Sequence, residues 1–155
     1  MDYYSDADWA GCPLTRRSSS GAAGLYGQHC VAFAASTQIP IALSSGESEF
    51  YGCAKCASRL LGYGGLLSDL GEERELRLFS DSSSARGILA RRGVGRVRHL
   101  ETPTLWVQHA VELRRFSVCT VPGKSNPGDL GTKYLDQQTL LRHLKFLCLH
   151  VRAAF

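Results

Sequence analysis

The chain of 155 residues lacks any apolar run near the ~20 residues that a membrane-spanning helix requires, so we expect no transmembrane protein. Its first residues contain neither a basic segment nor an apolar one, and we expect no secretory signal. Hydrophobic residues make up 44% of the chain and charged residues 21%. This ordinary composition excludes a disordered tail, a collagen-like fibre and a coiled coil. The length suits one domain with one hydrophobic core.

A second pair of zinc ligands is also lacking. Cys53 and Cys56 form a single C-x-x-C pair, and no other pair at similar spacing completes a zinc site. The six cysteines are spread over the whole chain, and a domain of this size needs no disulfide staples. We therefore expect reduced thiols, with Cys53 and Cys56 near one face of a helix.

Acidic residues are absent from residues 82–100, although the chain as a whole carries a net charge of only +4. The same stretch contains five arginines, namely Arg86, Arg91, Arg92, Arg96 and Arg98. Such a block is usually a solvated face. The arginine guanidinium is nevertheless the side chain best shaped to bind a phosphate, so a polyanionic partner is a working hypothesis.

Turn signals and hydrophobic periodicity predict the order of the elements. Three short strands come first, over residues 3–9, 20–26 and 30–36. A long helix then begins at Ser44, where a serine followed three residues later by Glu47 is a capping pattern, and ends near Leu70. Its glycines at 62, 64 and 65 predict a break or a kink. The remaining predictions are a strand over 76–80, helices over 82–90 and 101–114, a strand over 116–121 and a helix over 128–147. This order predicts an α/β fold with one mixed sheet, with α+β as the alternative.

Four carboxylates lie at junctions between these elements. Asp6 ends the first strand, Glu49 lies in the first turns of the long helix, Asp81 follows the fourth strand and Asp129 opens the last helix. Clusters with only oxygen ligands select hard cations such as Mg²⁺ or Mn²⁺, and two such ions can act on a phosphodiester. Aspartate and serine after strands are also ordinary caps and turn formers, so both interpretations stay open.

Five sequence blocks together resemble a known family. They read YSDADWAG at 4–11, TRRSSSG at 15–21, SSGESEFY at 44–51, FSDS at 79–82 and NPGDLGTK at 126–133. The blocks resemble the ribonuclease H domain of copia-type LTR retrotransposon Pol polyproteins, in which similar patterns occur in the same order. The resemblance covers most of the chain, from Tyr3 to Lys133.

The resemblance implies a ribonuclease H-like fold, a five-stranded mixed sheet with three antiparallel strands first, flanked by helices. It also implies hydrolysis of the RNA strand of RNA–DNA hybrids during reverse transcription, with two Mg²⁺ ions, or Mn²⁺ in their place. The expected partners are the hybrid and a reverse transcriptase domain upstream in the parent polyprotein. The expected location is intracellular, in the cytoplasm or in virus-like particles, without a membrane. The alternative is a weakly active or inactive nucleic-acid-binding module of the same fold.

The resemblance also assigns the site. Asp6, Glu49, Asp81 and Asp129 match the catalytic and metal-binding quartet of the family. Asp8 is the rival of Asp6, which directly follows Ser5 as the family's first acid follows Ser or Thr. Glu47 is the rival of Glu49 and is interpreted as a capping residue.

Nucleic-acid contacts are expected at two places, the turn between the first two predicted strands and the arginine block of residues 82–100. The candidates are Arg16, Arg17, Ser18, Ser19, Arg91, Arg92, Arg96, Arg98 and His99. A structural role for His99 is the alternative to a functional one. Residues 1–135 are predicted to form the ribonuclease H-like domain. Residues 136–155 are predicted to form a helical tail, either part of that domain or a polyprotein extension.

Overall fold

The computed structural model describes residues 1–93, 95, 100 and 102–151. Its strands are β1 (Asp2–Ala7), β2 (Ser19–Tyr26), β3 (His29–Thr37), β4 (Arg77–Ser80) and β5 (Ser117–Thr120). Its helices are α1 (Ser45–Asp69), α2 (Ser83–Leu89), α3 (Trp106–Glu112) and α4 (Gln137–Phe146), with short 3₁₀ turns at Thr102–Thr104, Gly123–Ser125 and Pro127–Gly131. None of the helices in the described part of the chain has the length and apolarity to cross a membrane.

The five strands form one sheet in the order β3-β2-β1-β4-β5. The first three strands make an antiparallel meander, whereas β4 pairs in parallel with both β1 and β5. The predicted five-stranded mixed sheet, with three antiparallel strands first, is thereby confirmed. Because β1 and β4 run in parallel, their carboxyl ends reach the same edge of the sheet.

The larger part of the core lies between the sheet and helices α1, α2 and α3. Tyr3 and Leu78 project from the central strands and are almost completely buried there, against Phe50 and Leu60 of α1. Alternate residues of β1 therefore face α1, as the period of two in a strand requires.

The opposite face of the sheet carries a smaller cluster. Tyr4, Leu25 and Val121 are buried there around Leu147, which directly follows α4 and is fully buried. This packing favours the interpretation in which the helical tail is part of the same domain.

Helix α1 begins and ends where the sequence predicts. The Ser44 hydroxyl accepts a hydrogen bond from the Glu47 N–H at 3.2 Å, and Gly71 just beyond the helix adopts a positive φ of 80°. The predicted break at the internal glycines is wrong, because α1 is continuous to Asp69. One reason is packing: a Cβ at Gly64 would lie 2.5 Å from Leu76 Cδ1, so the absent side chain lets Leu76 pack directly on the helix.

The predicted helix over 128–147 is also wrong. Pro127–Gly131 forms a 3₁₀ turn, and α4 begins only at Gln137. The turn ends where the Thr132 and Lys133 N–H groups both donate to the Asp129 carbonyl. A new helix then starts because the Asp136 carboxylate accepts a hydrogen bond from the Thr139 N–H at 3.0 Å.

Helix α3 is shorter than the predicted span of 101–114. It covers Trp106–Glu112 and follows the 3₁₀ turn, while residue 101 lies outside the described residues. The cause is local, since the Leu105 N–H donates to the Thr102 carbonyl at 3.0 Å and closes the tighter turn first.

All six cysteines are free thiols. Cys53 and Cys56 lie on the buried side of α1, and the Cys56 sulfur is 3.9 Å from the Tyr4 carbonyl of β1. Burial raises the pKa of Cys53 to about 12 and that of Cys56 to about 11. Both thiols therefore stay protonated and act as small apolar packing groups.

Asn126 ties the 3₁₀ turn Pro127–Gly131 to the central strand β1. Its side chain is fully buried, donates a hydrogen bond to the Ser5 carbonyl at 2.9 Å and accepts one from the Gly128 N–H at 3.1 Å. Gly128 itself lies so close that a Cβ there would be 2.9 Å from the Asp6 backbone nitrogen. The turn is therefore pressed against the end of β1.

We expect Asn126→Ala to lower the free energy of unfolding by about 1–3 kcal/mol, because it leaves the Ser5 carbonyl and the Gly128 N–H buried without partners. Urea denaturation followed by circular dichroism measures this loss. The matched control is Lys124→Ala on the preceding exposed turn, which should change the free energy by less than about 0.5 kcal/mol. Equal stabilities of the two variants would contradict the anchoring role.

Candidate active site

Three carboxylates from three different elements meet at the carboxyl edge of β1 and β4. Asp6 lies in β1, Glu49 in the second turn of α1, and Asp81 directly after β4. One carboxylate oxygen of each lies within 4.8 Å of those of the other two. Among the described residues these three form the one such cluster of metal-ligating side chains. The arrangement brings together three of the four residues of the expected quartet.

The two glutamates at the start of α1 have different surroundings. The Glu47 carboxylate accepts hydrogen bonds from the Leu43 N–H at 2.7 Å and from the Tyr51 hydroxyl at 2.8 Å, and it is buried. These contacts fix the chain before α1, in line with the capping role expected for it. Glu49 instead faces the cluster beside Asp6 and Asp81.

The two aspartates near the end of β1 also differ. The Asp8 carboxylate accepts a hydrogen bond from the Ser19 N–H, and the Asp8 N–H donates to the Ser19 carbonyl, so Asp8 closes the loop between β1 and β2. Asp6 is 1% exposed and lies in the cluster. The geometry therefore favours Asp6 over Asp8 as a ligand.

Asp129 lies beside the cluster but is held by a cation of the protein. The Lys133 ammonium is 2.6 Å from Asp129 Oδ1 and 3.2 Å from Asp6 Oδ1, so it bridges the two carboxylates. The Thr132 hydroxyl donates a hydrogen bond to the other Asp6 oxygen. Lys133 follows Asp129 by four residues, and this spacing places the two side chains next to each other.

Two oxygen atoms of the cluster have no hydrogen-bond donor. Glu49 Oε2 and Asp81 Oδ1 are buried and make no hydrogen bond among the described residues. Gly123 covers Asp81 closely, since a Cβ there would lie 3.0 Å from Asp81 Oδ2. Buried carboxylate oxygens without donors are costly unless a cation binds them, and an all-oxygen set suits Mg²⁺ or Mn²⁺. The residues present therefore fit the expected metal.

The electrostatics of the cluster favour protonation when no cation is bound. Burial, followed by the charges of Asp6 and Asp81, raises the pKa of Glu49 to about 8. Lys133 and the Ala7 N–H act in the opposite direction but do not cancel the rise. Burial also raises the pKa of Asp129 to about 6 in spite of its contact with Lys133.

The nucleic-acid contacts expected between the first two strands, in the β1–β2 loop, divide into exposed and buried side chains. Arg16 and Arg17 are exposed in the β1–β2 loop, just after its turn at residues 13–15. Ser18 is fully buried, and its hydroxyl accepts a hydrogen bond from the Ala10 N–H at 3.0 Å. We therefore interpret Ser18 as a loop-fixing residue. Ser19 is half-buried at the start of β2.

The arginine block after α2 is described only in part. Arg92 is exposed and forms a salt bridge with Glu112 of α3. Arg91 is half-buried with its guanidinium close to Gly95. The remaining candidates, Arg96, Arg98 and His99, lie outside the described residues.

The sequence interpretation missed three residues that organise the site, namely Asn126, Thr132 and Lys133. All three lie in the block that carries the family resemblance, yet their roles were not assigned. The signal for Lys133 was its position four residues after Asp129, which indicates an ion pair wherever the intervening chain is helical. Asn126 has a local signal, because an asparagine directly before a proline is typical of a helix start, and it does accept the Gly128 N–H. No local pattern indicates the bonds of Asn126 and Thr132 to β1, because those partners are more than 100 residues away.

Comparison with known sequences supports the resemblance, although no family model matches the chain. Over 133 residues, 84% of its length, the chain is 26% identical to the retrovirus-related Pol polyprotein from transposon TNT 1-94 of Nicotiana tabacum. It spans 10% of that polyprotein.

Comparison with solved structures shows the fold. The N-terminal ribonuclease H domain of a Mycobacterium tuberculosis protein, solved as a fusion with maltose-binding protein, is similar with a TM-score of 0.53. The match covers 93% of this chain and 95% of that one at 16% sequence identity. The ribonuclease H1 of Halobacterium salinarum gives a TM-score of 0.49 at 20% identity, over 84% of this chain and 92% of that one.

The sheet order and the structural match define a domain with the ribonuclease H fold. Together with the sequence match to a transposon Pol polyprotein, they confirm the resemblance to the ribonuclease H domain of copia-type Pol polyproteins.

The raised pKa of Glu49 predicts that its effect on the free energy of unfolding of the metal-free protein depends on pH. A carboxyl with a higher pKa in the folded state than its ordinary value of 4.5 binds more protons when folded. Its contribution to the free energy of unfolding is therefore lost as the pH rises toward and through about 8. We expect Glu49→Gln to gain stability relative to the wild type as the pH rises from 6 to 8 in EDTA.

The measurement is urea denaturation of both proteins at several pH values, because the titrating groups outside the cluster are shared and their effects cancel in the difference. Glu73→Gln, on the exposed loop after α1, is the control and should show a difference that does not vary with pH. A pH-independent difference for Glu49→Gln as well would contradict the assigned environment of Glu49.

Proposed function

We propose that this protein is a metal-dependent ribonuclease H that hydrolyses the RNA strand of RNA–DNA hybrids in the reverse transcription of a retrotransposon. The observation that carries the proposal is the juxtaposition of Asp6, Glu49 and Asp81, with two buried oxygens that lack donors, at one edge of a ribonuclease H-type sheet. The sequence match to a transposon Pol polyprotein supports the biological setting.

Mg²⁺ is the proposed cofactor, with Mn²⁺ as a substitute. Asp6, Glu49 and Asp81 would hold one ion, and Asp129 with Asp6 would hold the second. Bound divalent ions supply Lewis acidity toward a phosphate and make a water nucleophile easier to deprotonate. The quartet is proposed as both the catalytic and the metal-binding set.

The residues of the chain preorganise this site. Thr132 fixes one Asp6 oxygen, Asn126 fixes the turn that carries Asp129, and the capped start of α1 fixes Glu49. Glu49 retains a proton on its carboxyl near neutral pH while no cation is bound, because burial disfavours its charged form and the nearby charges of Asp6 and Asp81 add to that effect. That proton leaves when positive charge enters the cluster.

We assign binding of the RNA–DNA hybrid to the β1–β2 loop. The Cys12 N–H donates to the Arg17 carbonyl at 3.1 Å, and the Arg16 N–H donates to the Cys12 carbonyl at 2.8 Å. These bonds hold the backbone of Arg16 and Arg17 just after the turn of a loop that directly follows the strand of Asp6. Exposed guanidinium groups at this place suit phosphates of a strand that enters the site.

The wider context is proposed from the same comparison. A reverse transcriptase domain upstream in a Pol polyprotein is the proposed partner, and the cytoplasm or virus-like particles are the proposed location. The boundary between residues 135 and 136 is a proposed division within one packed unit, since Leu147 is buried against the sheet.

Asp6→Asn and Asp81→Asn should each lower the rate of RNA cleavage by more than about 100-fold, because even residues that only support metal ligands cost 10–100-fold. The assay uses an RNA–DNA hybrid with the RNA strand labelled, in Mg²⁺ and in EDTA. Cleavage should be confined to the RNA strand and should be lost in EDTA.

The matched control is Asp8→Asn, which removes a nearby carboxylate but keeps an oxygen to accept the Ser19 N–H. It should retain most of the wild-type rate. Full activity of Asp81→Asn would refute the assigned quartet. Hybrid binding by the wild type without cleavage in Mg²⁺ would support the non-catalytic module instead.

The double variant Arg16→Ala, Arg17→Ala should weaken hybrid binding and reduce the slope of log K against log salt concentration by about 2, because each phosphate contact contributes about one. Fluorescence anisotropy in EDTA measures binding without cleavage.

The control replaces two arginines at the other end of α1, Arg74 and Arg115, which line a hollow beside Gly64. This variant changes the net charge equally but should retain the wild-type slope. Equal slopes for both double variants would contradict a specific role for the β1–β2 loop.

A further inference from the structure

Lys133 is the one lysine among the described residues whose ammonium bridges two members of the quartet. Its contacts with Asp129 and Asp6, at 2.6 Å and 3.2 Å, are both within hydrogen-bond distance. Asp129 is the quartet member that the cluster of Asp6, Glu49 and Asp81 does not include. The carboxylate missing from the cluster is thus the one that lies nearest to the lysine ammonium.

An ammonium group and a divalent cation compete for such oxygens. Both need carboxylate oxygens within about 2–3 Å, and Mg²⁺ binds at about 2.1 Å. The two oxygens that face Lys133 Nζ belong to the two residues proposed to hold the second ion. The ammonium therefore occupies the place between Asp6 and Asp129 that a second cation requires.

We propose that Lys133 acts as a tethered cation that fills the second metal position of the free protein, so that only the position at Asp6, Glu49 and Asp81 accepts an ion readily. This inference rests on the proposed function and adds a rule for the order in which the ions enter. The second ion binds after the lysine has moved away.

The surroundings of Lys133 allow that movement. Its side chain is 45% exposed, and the segment 130–134 borders a polar hollow with Asp8, Cys12 and Ser19. The long aliphatic stem can turn the ammonium toward this hollow while the backbone of the turn stays fixed by Asn126. A phosphate in the hollow offers the ammonium a new anionic partner and frees Asp129. Substrate entry and second-ion entry are coupled in this way.

A purely structural ion pair is the competing interpretation. Lysine and aspartate four residues apart commonly pair on a surface and contribute little. Asp129, however, is buried, and the lysine reaches past it to Asp6, whose side chain is 1% exposed. An ion pair formed only at the surface would not extend to a buried carboxylate of β1.

The test is isothermal titration of the full chain with Mg²⁺ alone, without nucleic acid. Lys133→Met removes the charge and keeps an unbranched stem, and we expect it to bind a second Mg²⁺ at least tenfold more tightly than the wild type. Lys133→Arg keeps the charge and should bind as the wild type does. Lys145→Met removes an exposed lysine of α4 and should also match the wild type.

A double variant tests where the second ion goes. Adding Asp129→Asn to Lys133→Met should abolish the gain, because the carboxylate that the lysine released is then missing. Circular dichroism of each variant checks that the fold is retained.

The outcomes separate this inference from the proposed function. If Asp81→Asn loses Mg²⁺ binding but Lys133→Met binds as the wild type does, the inference on Lys133 is wrong and the metal site stands. An equal gain in Lys133→Arg also overturns it. If neither the wild type nor Lys133→Met binds Mg²⁺, both the inference and the metal-dependent function are overturned.

Discussion

Like charges are gathered at one edge of the sheet, and the surrounding fold has to hold them there against their mutual repulsion. Asp6, Glu49 and Asp81 bring their oxygens within 4.8 Å of one another, in a place that burial makes unfavourable for charge. Such a cluster is held together only if the surrounding fold forces it and if cations or protons relieve the repulsion. In the free protein the relief comes from Lys133 and from the high pKa of Glu49.

The architecture supplies that force through two kinds of contact. The parallel pairing of β1 with β4 places Asp6 and Asp81 at one edge, and the capped start of α1 brings Glu49 over it. On the other side, Asn126 pins the 3₁₀ turn to the Ser5 carbonyl with a buried hydrogen bond. The energy that confines the acids therefore comes from the hydrophobic core and from buried hydrogen bonds some residues away. Functional sites typically combine locally unfavourable groups, which the chemistry requires, with stabilising contacts in other parts of the fold.

Much of the fold could be predicted from local patterns, and the failures have local causes. The strands follow from the turn signals between them, the start of α1 from a serine cap, and its end from Gly71, which adopts a positive φ. The expected break in α1 failed because Leu76 packs on Gly64, a contact between distant segments that helix propensity does not contain. The expected long helix after Gly128 failed because Asp136 caps a new helix. Local patterns predicted one helix over that region and did not indicate where helicity resumes.

For the site, residue types and motif order were enough to nominate the four acids and to prefer Asp6 and Glu49 over Asp8 and Glu47. The amino-acid sequence alone was sufficient to name the carboxylates for the proposed chemistry, because they stand at the ends of predicted elements within blocks that resemble a known family. Which of these acids meet in the absence of a cation depends on the folded arrangement. It gathers three and pairs the fourth with Lys133, because distances between strands, turn and helix depend on packing across more than 100 residues of chain.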